Sequence, residues 1–515
     1  MEGQDACAGS SQSLVPIPGK VNPLRRLAGQ TAIYGLSNIL GRIINFLLVP
    51  LYTRVFIPEE YGIVTEMYVY VAFLLIVLTY GMETALFRFS ENKGGNKDAV
   101  FSTAFLSVLL TSSLFIFLVI SFRIPLAEAM RYGGHVYYIV LLALIVGLDA
   151  IAAIPYARLR VRNRPWRFAL IRFSGIIVNI GLVLFFLVFC PWLIENGPEA
   201  LVPVVEKIYN EQIGVGYVFV ANLAATIITL LLLSPEMFRV KWNFDTILFR
   251  QMLIFALPLL VAGMAGWANE ALDKLLLKYL LPENIAMEQL GIYGAVYKLS
   301  MLMTIFVQAY RFAAEPFFFA EASQKNARDM FALIMNYFII GLLTIFLLIT
   351  LFIDLVKHFI GPEFHEGISI VPVLLLANLF LGIYWNLSIW YKLTAKTHYG
   401  AWFAIIGACI TLVLNIWWIP LFGYHGAAWA TLVCYFSIAL LSYLTGQKNY
   451  KIPYNIKRIG LLVTTAIGVH LLSKLTGSLP AAWMYPVHLA FVAMFLLAAA
   501  FIEPSLRRVI QQVRR

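Results

Sequence analysis

Fourteen apolar stretches recur along the chain of 515 residues, separated by short polar segments. Their approximate limits are 27–53, 62–88, 99–121, 134–157, 168–190, 213–234, 248–272, 290–318, 330–355, 368–391, 399–420, 424–445, 457–475 and 482–502. A helix of about 20 apolar residues crosses the hydrocarbon core of a bilayer. Lipid offers no partner to an unpaired backbone amide, so the spanning structures are helices and closed barrels. Runs of this length, without ten-residue alternation, predict an all-α polytopic membrane protein of about fourteen transmembrane helices.

Charge supports this count. Only 13% of residues are charged, against about 25% in a soluble domain. With the N-terminus placed inside, 26 of the 38 Lys and Arg residues fall in alternate, inner segments and 8 in outer ones. The remaining four, Arg42, Arg172, Lys298 and Arg311, lie within spans. This is the asymmetry expected of cytoplasmic loops, and a missed helix would scramble it from that point on. It places both termini in the cytoplasm and accounts for the net charge of +11 without nucleic acid. Residues 1–23 form a polar tail without an apolar h-region, so a cleavable signal is not expected. Cys7, Cys190, Cys409 and Cys434 are too scattered for a disulfide framework or a zinc site. The longest loop, 191–212, reads as a solvated outer hairpin.

A weak internal repeat divides the chain. RVFIPEEYGIVTEMYVYV follows the first span and KYLLPENIAMEQLGIYGAVYKL the seventh. Each has an apolar residue, Pro and Glu, then Gly beside an aromatic, and each suits a turn and helix start. Both follow odd-numbered spans, so the repeat is parallel, with its axis along the membrane normal. The expected organisation is a tail (1–23), an N-terminal six-helix lobe (24–245), a C-terminal six-helix lobe (246–450), and two further helices with a basic tail (451–515).

The first span carries Arg42 near its middle, with Thr31, Asn38 and Asn45 on the same helical stripe. A cation at bilayer depth costs roughly 2.5–3.5 kcal/mol or more and faces a cavity or a partner. Either an anion site or a pair with a neighbouring carboxylate meets that requirement. Span two has Glu66 and Glu83; span seven has Asn269, Glu270, Asp273 and Lys274, with Glu270 and Lys274 at the favourable i,i+4 spacing. On span eight, Lys298 is followed by Thr304, Gln308, Arg311 and Glu315 on one face, and Pro316 is a candidate kink. Arg311–Glu315 and Asp149–Arg172 are candidate structural pairs. Polar faces on corresponding helices of the two lobes are the layout of a cavity between them. No HExxH pair and no phosphate-cradling Gly-rich loop is present. The outer loop HFIGPEFHEG is the one stretch where metal ligands cluster. Trp385, Trp390, Trp402, Trp417 and Trp418 suit an interfacial belt or stacking on sugars.

These stretches carry a family resemblance. GQTAIYGLSNILGRIINFLLVPLYTRVFIPEEYG resembles the first helix and turn of bacterial polysaccharide-export flippases. LDKLLLKYLLP and LGIYGAVYKLSML resemble their second-lobe repeat, QAYRFAAEPFFF the end of their eighth helix, and IPLFGYHGAAWATLVCY the turn between helices eleven and twelve. The resemblance runs from about Leu24 to Phe501. It implies the multidrug/oligosaccharidyl-lipid/polysaccharide exporter fold and alternating access around a central cavity. It also implies an undecaprenyl-pyrophosphate-linked oligosaccharide as cargo, and a bacterial inner-membrane location.

The pyrophosphate-binding residues then expected are Arg42, Arg311, Lys298, Asn38, Asn45 and Gln308. Glu83, Asp149, Glu270 and Asp273 are the candidates for ion coupling. No catalytic residue, metal or cofactor is expected beyond a coupling H⁺ or Na⁺. Expected partners are the lipid-linked oligosaccharide, membrane lipids, and the glycan polymerase and other assembly proteins. The middle of span two lacks the extra arginines of peptidoglycan-precursor flippases, which favours surface-glycan units. The alternatives are a cation-coupled multidrug exporter of the same superfamily, a membrane glycosyltransferase or polymerase, and a scaffold. The multidrug exporter would want a cavity dominated by carboxylates, the enzyme a larger outer domain.

Overall fold

The computed structural model describes Gly41, Ile43, Ile44 and residues 46–91, 96–476 and 480–503. Thirteen helices in these residues are long and apolar enough to cross a membrane. The end of the first apolar stretch is α1 (Val49–Val55). The thirteen follow as α2 (Pro58–Ser90), α3 (Lys97–Ser121), α4 (Gly133–Val161), α5 (Pro165–Asn196), α6 (Gly216–Met237), α7 (Thr246–Leu280), α8 (Glu283–Glu321), α9 (Ala327–Leu351), α10 (Pro362–Leu393), α11 (His398–Phe422), α12 (Tyr424–Asn449), α13 (Ile456–Thr476) and α14 (Ala482–Ile502). The rest of the first expected span lies outside the described residues. The other thirteen expected spans each meet one helix, most of which run a few residues further. Polar and charged residues near the interfaces can extend a helix whose apolar length alone sets the expectation.

Local chemistry sets the helix starts. Pro58 and Pro165 open α2 and α5, where the missing N–H costs nothing. Asn96 accepts hydrogen bonds from the Asp98 and Ala99 amides at the start of α3. Asp245 does the same for Ile247 and Leu248 at the start of α7. α2 breaks at Tyr80–Gly81, both in the left-handed region (φ 31° and 77°). At Gly81 a side chain would be strained and would also press on the Ala256 carbonyl at 3.1 Å. α8 runs on through Pro316 to Glu321. Loop 191–212 is more structured than a solvated hairpin. A short helix, Val202–Glu206, buries Val205 against Cys190 and Leu193, because apolar residues within the loop have their own surface to cover.

The stretch 158–167, at the junction of α4 and α5, carries five arginines; the end of the molecule where it lies is the basic end. α3, α4, α5 and α6 pack in sequence on one side of the molecule, and α7, α8, α10, α11 and α12 on the other. α2 joins both groups, packing along α4, α7 and α8. α9 supports α10 and receives α13 and α14. For description, α1–α6 are the first half and α7–α12 the second.

Candidate transport site

The two halves are sealed at the end opposite the basic one. α2 and α8 approach there at Gly62, Gly291 and Gly294. A Cβ on Gly291 would sit 1.8 Å from the Pro58 carbonyl oxygen, and one on Gly62 would sit 2.4 Å from that of Met287. Only glycine permits this approach. Beside it, Lys278 of α7 donates to both oxygens of Glu66 of α2 at 2.8 Å and to the Met130 carbonyl at 2.6 Å. The Glu66 and Lys278 side chains are 0% and 2% exposed. Tyr132 also donates to Glu66. Burial first, and the Glu66 carboxylate second, push the Tyr132 hydroxyl pKa far above its ordinary value, so it stays a donor.

Arg131 caps the set, donating to the Lys278 carbonyl at 3.0 Å and pairing with Glu283 at 3.1 Å. Tyr70 and Tyr279 share a hydrogen bond of 2.7 Å. α1 contributes Thr53, whose hydroxyl accepts from the Gly361 amide at 3.0 Å, and Arg54, which donates to the His358 carbonyl at 2.6 Å. Among the described residues, both ion pairs that join the halves belong to this seal.

Away from the seal α2 and α8 become more open, while the Met82–Ser90 end of α2 stays packed on α7, with Gly81 against Ala256. α2 is buried at Tyr61, Val64, Glu66, Met67 and Val69, and more open from Val71 to Val77. α8 is buried from Leu290 to Val296, then exposes Leu302, Phe306 and Phe312. These more open stretches of α2 and α8 are the candidate walls of a cleft between the halves.

Charged side chains of both halves sit along this part of the molecule. In the first half, Arg160 pairs with Glu83 at 3.5 Å, and Arg172 lies within electrostatic reach of both Glu83 and Asp149. Gly41, the residue before Arg42, packs against Ile176, one turn from Arg172. Arg42, Asn38 and Asn45 lie outside the described residues. In the second half, Lys298 is partly buried within electrostatic reach of Lys274 and Glu270. Gln308 and Arg311 are partly buried further along α8. The Arg311 guanidinium covers the Trp385 ring at 3.6 Å, a cation–π contact.

Three expected pairings resolve differently. The Asp149 carboxylate accepts from Thr226 of α6 at 2.9 Å, while Arg172 lies 6.0 Å from the Tyr156 ring centroid. Lys274 reaches the Glu270 carbonyl oxygen at 2.9 Å but pairs with the Asp273 carboxylate at 3.3 Å. The buried Asp273, which also accepts from Tyr293 at 2.5 Å, is the more demanding partner because burial leaves it no water. Glu315 pairs with Lys392 of α10 rather than neutralising Arg311 alone. Of the tryptophans, Trp402 and Trp417 are exposed as a belt requires, whereas Trp390 is buried and donates to Ser442 at 3.3 Å. His358 and His365 turn their ring nitrogens to backbone carbonyls. Among the described residues no three His, Cys, Asp or Glu side chains converge as a metal requires.

Sequence reasoning missed two features. It noted Glu66 on the second span but could not pair it with Lys278, because the two are far apart in the chain. It also passed over Glu236, at the end of α6, which is fully buried and gathers five arginines at the basic end.

A helical membrane protein of two packed halves, joined most tightly at one end, has a two-lobed architecture. It is similar in fold to the lipid II flippase MurJ in an inward closed conformation, with TM-score 0.66 and 15% identity over 93% of this chain and 99% of that one. It is also similar to an inward-facing multidrug resistance MATE family transporter of the MOP superfamily, with TM-score 0.59 and 13% identity over 82% and 97% of the chains. Agreement with an outward-facing member of the same family is lower, at TM-score 0.51 and 13% identity over 82% and 94%. No curated protein matches by sequence. The chain belongs to the polysaccharide biosynthesis protein family, whose model matches residues 27–320.

Proposed function

We propose that this protein is a flippase for undecaprenyl-pyrophosphate-linked oligosaccharide units, working by alternating access between its two halves. It would move them across the bacterial inner membrane for synthesis of O-antigen, capsule or exopolysaccharide. Membership of the polysaccharide biosynthesis family is the observation that carries this reading. The cleft's chemistry supports it. A sugar headgroup and a pyrophosphate cannot cross hydrocarbon unaided, but the lipid tail can stay in the bilayer while the head passes through a polar cleft. Arginine offers paired donors matched to phosphate oxygens. Arg42, with Asn38 and Asn45, would meet the pyrophosphate from the first half, and Lys298, Gln308 and Arg311 from the second. The basic end faces the cytoplasm in this reading, so the seal at the opposite end makes this the inward-facing state.

Release needs the outward state to bind cargo less tightly, and a coupling ion can bias the two states only by binding them differently. Of the four candidate carboxylates, Glu83 is already paired with Arg160 and Asp273 with Lys274. Asp149, held by one threonine hydroxyl, and the exposed Glu270 are the better places for an arriving H⁺ or Na⁺. The test is deletion of the protein, followed by assay of surface glycan and lipid-linked intermediates. The expected result is loss of glycan with accumulation of the lipid-linked unit. Unchanged glycan together with new drug sensitivity would overturn the reading in favour of a multidrug exporter. Arg42→Ala is expected to reach the membrane and fail to restore glycan; full restoration would remove Arg42 from the site.

A further inference from the structure

The arginine cluster at the basic end holds more positive charge than its own carboxylates neutralise. Glu236 receives Arg167 at 3.1 Å, Arg162 at 3.5 Å, and Arg158, Arg164 and Arg239 at 3.8 Å. Asp98, at the start of α3, takes Arg158 at 3.0 Å and Arg162 at 3.4 Å. Five guanidinium groups therefore share two carboxylates. Arg158, in the last turn of α4, and Arg162, which follows its last residue, both reach Asp98 and Glu236, whereas Arg160 pairs with Glu83. The cluster is thus separate from the cleft between the halves.

A cavity of about 440 Å³ opens beside it, between the ends of α2 and α4 and the start of α3. Lys97, Arg158, Arg162 and Arg164 supply its cations, with Asp98 the acidic group among its lining residues. Leu86, Phe101 and Val161 supply an apolar wall. Ser90 also lines it; its side-chain hydroxyl is buried and has no hydrogen-bond partner. A buried hydroxyl without a partner is costly, and it becomes satisfied if a ligand brings an acceptor.

From this arrangement we propose that the cavity binds the phosphate group of an anionic membrane-lipid headgroup. Arginine forks and a lysine suit phosphate oxygens, the Ser90 hydroxyl supplies one more donor, and the surplus charge favours an anion. The apolar wall and the position at the ends of membrane-spanning helices favour a lipid over a soluble phosphate. The site is independent of the cargo proposed above.

Arg164 and Arg239 make the test clean. Both lie 3.8 Å from the same Glu236 oxygen and are similarly exposed, at 46% and 49%, but only Arg164 lines the cavity. The purified full chain in neutral detergent would be titrated with short-chain phosphatidylglycerol, short-chain phosphatidylcholine or inorganic phosphate, reading the melting temperature. Phosphatidylglycerol is expected to stabilise the wild type, with phosphatidylcholine and inorganic phosphate much weaker. R164Q is expected to weaken the apparent phosphatidylglycerol affinity about tenfold or more, as loss of a charged hydrogen bond implies, while R239Q titrates like wild type. Equal effects of R164Q and R239Q would overturn the site. So would equal stabilisation by phosphatidylcholine, and stabilisation by inorganic phosphate alone would assign the cavity to a soluble anion. The wild-type comparison of the three ligands decides the matter even if R164Q fails to fold.

Discussion

At the scale of single residues, the seal depends on a buried ion pair whose members belong to different halves. Removing one partner of such a pair leaves an uncompensated charge, while replacing both by neutral groups of similar volume is often tolerated. Lys278→Met is expected to cost about 3–5 kcal/mol, because Glu66 is then buried without its cation. The double variant Glu66→Gln/Lys278→Met is expected to recover much of that loss. Melting in detergent measures both, and a single variant as stable as the double would show that the pair is not coupled. The same logic applies to Glu236, which five arginines surround. Glu236→Gln is expected to lower the melting temperature far more than Asp98→Asn, because the Glu236 side chain is 0% and that of Asp98 41% exposed. Comparable losses would argue that burial is not what makes Glu236 important.

At the scale of elements, the contact of α2 with α8 depends on side chains that are missing. Gly291→Ala places a Cβ against the Pro58 carbonyl, where backbone, not a flexible side chain, must yield. The helices are expected to part at that end, at an overpacking cost of about 1–3 kcal/mol. A cysteine introduced at Thr65, next to Gly294 in this contact, should then react faster with a membrane-impermeant thiol reagent than in the parent chain. An unchanged rate would mean that the contact does not govern closure. The break at Tyr80–Gly81 is a different device. Left-handed backbone there splits α2 into Pro58–Thr79 and Met82–Ser90, and both segments pack against α7.

At the scale of the whole molecule, the distribution of basic residues predicts which face meets the cytoplasm. In a chain whose four cysteines are replaced, a cysteine at Asn163 is expected to resist an impermeant reagent in intact cells and to react after permeabilisation. One at Glu199 is expected to react in both. The opposite pattern would invert the orientation and turn the sealed end inward.

Much of this architecture was legible in the sequence because a bilayer demands so much of a chain. Helix length, number and order follow from apolar runs and from the need to satisfy every backbone amide within a segment. The alternation of Lys and Arg gives an expected orientation, and the spacing of Thr304, Gln308, Arg311 and Glu315 puts those four on one face of α8. Side-chain partnership was not legible. Lys274 chose Asp273 over Glu270, Asp149 took a threonine from α6, and Glu66 met Lys278 from the other half. Those choices depend on how helices distant in sequence are brought together and on how little water remains around each charge. Periodicity places a residue on a face of its own helix. Only tertiary packing decides which charge it meets there, and at which end the two halves close.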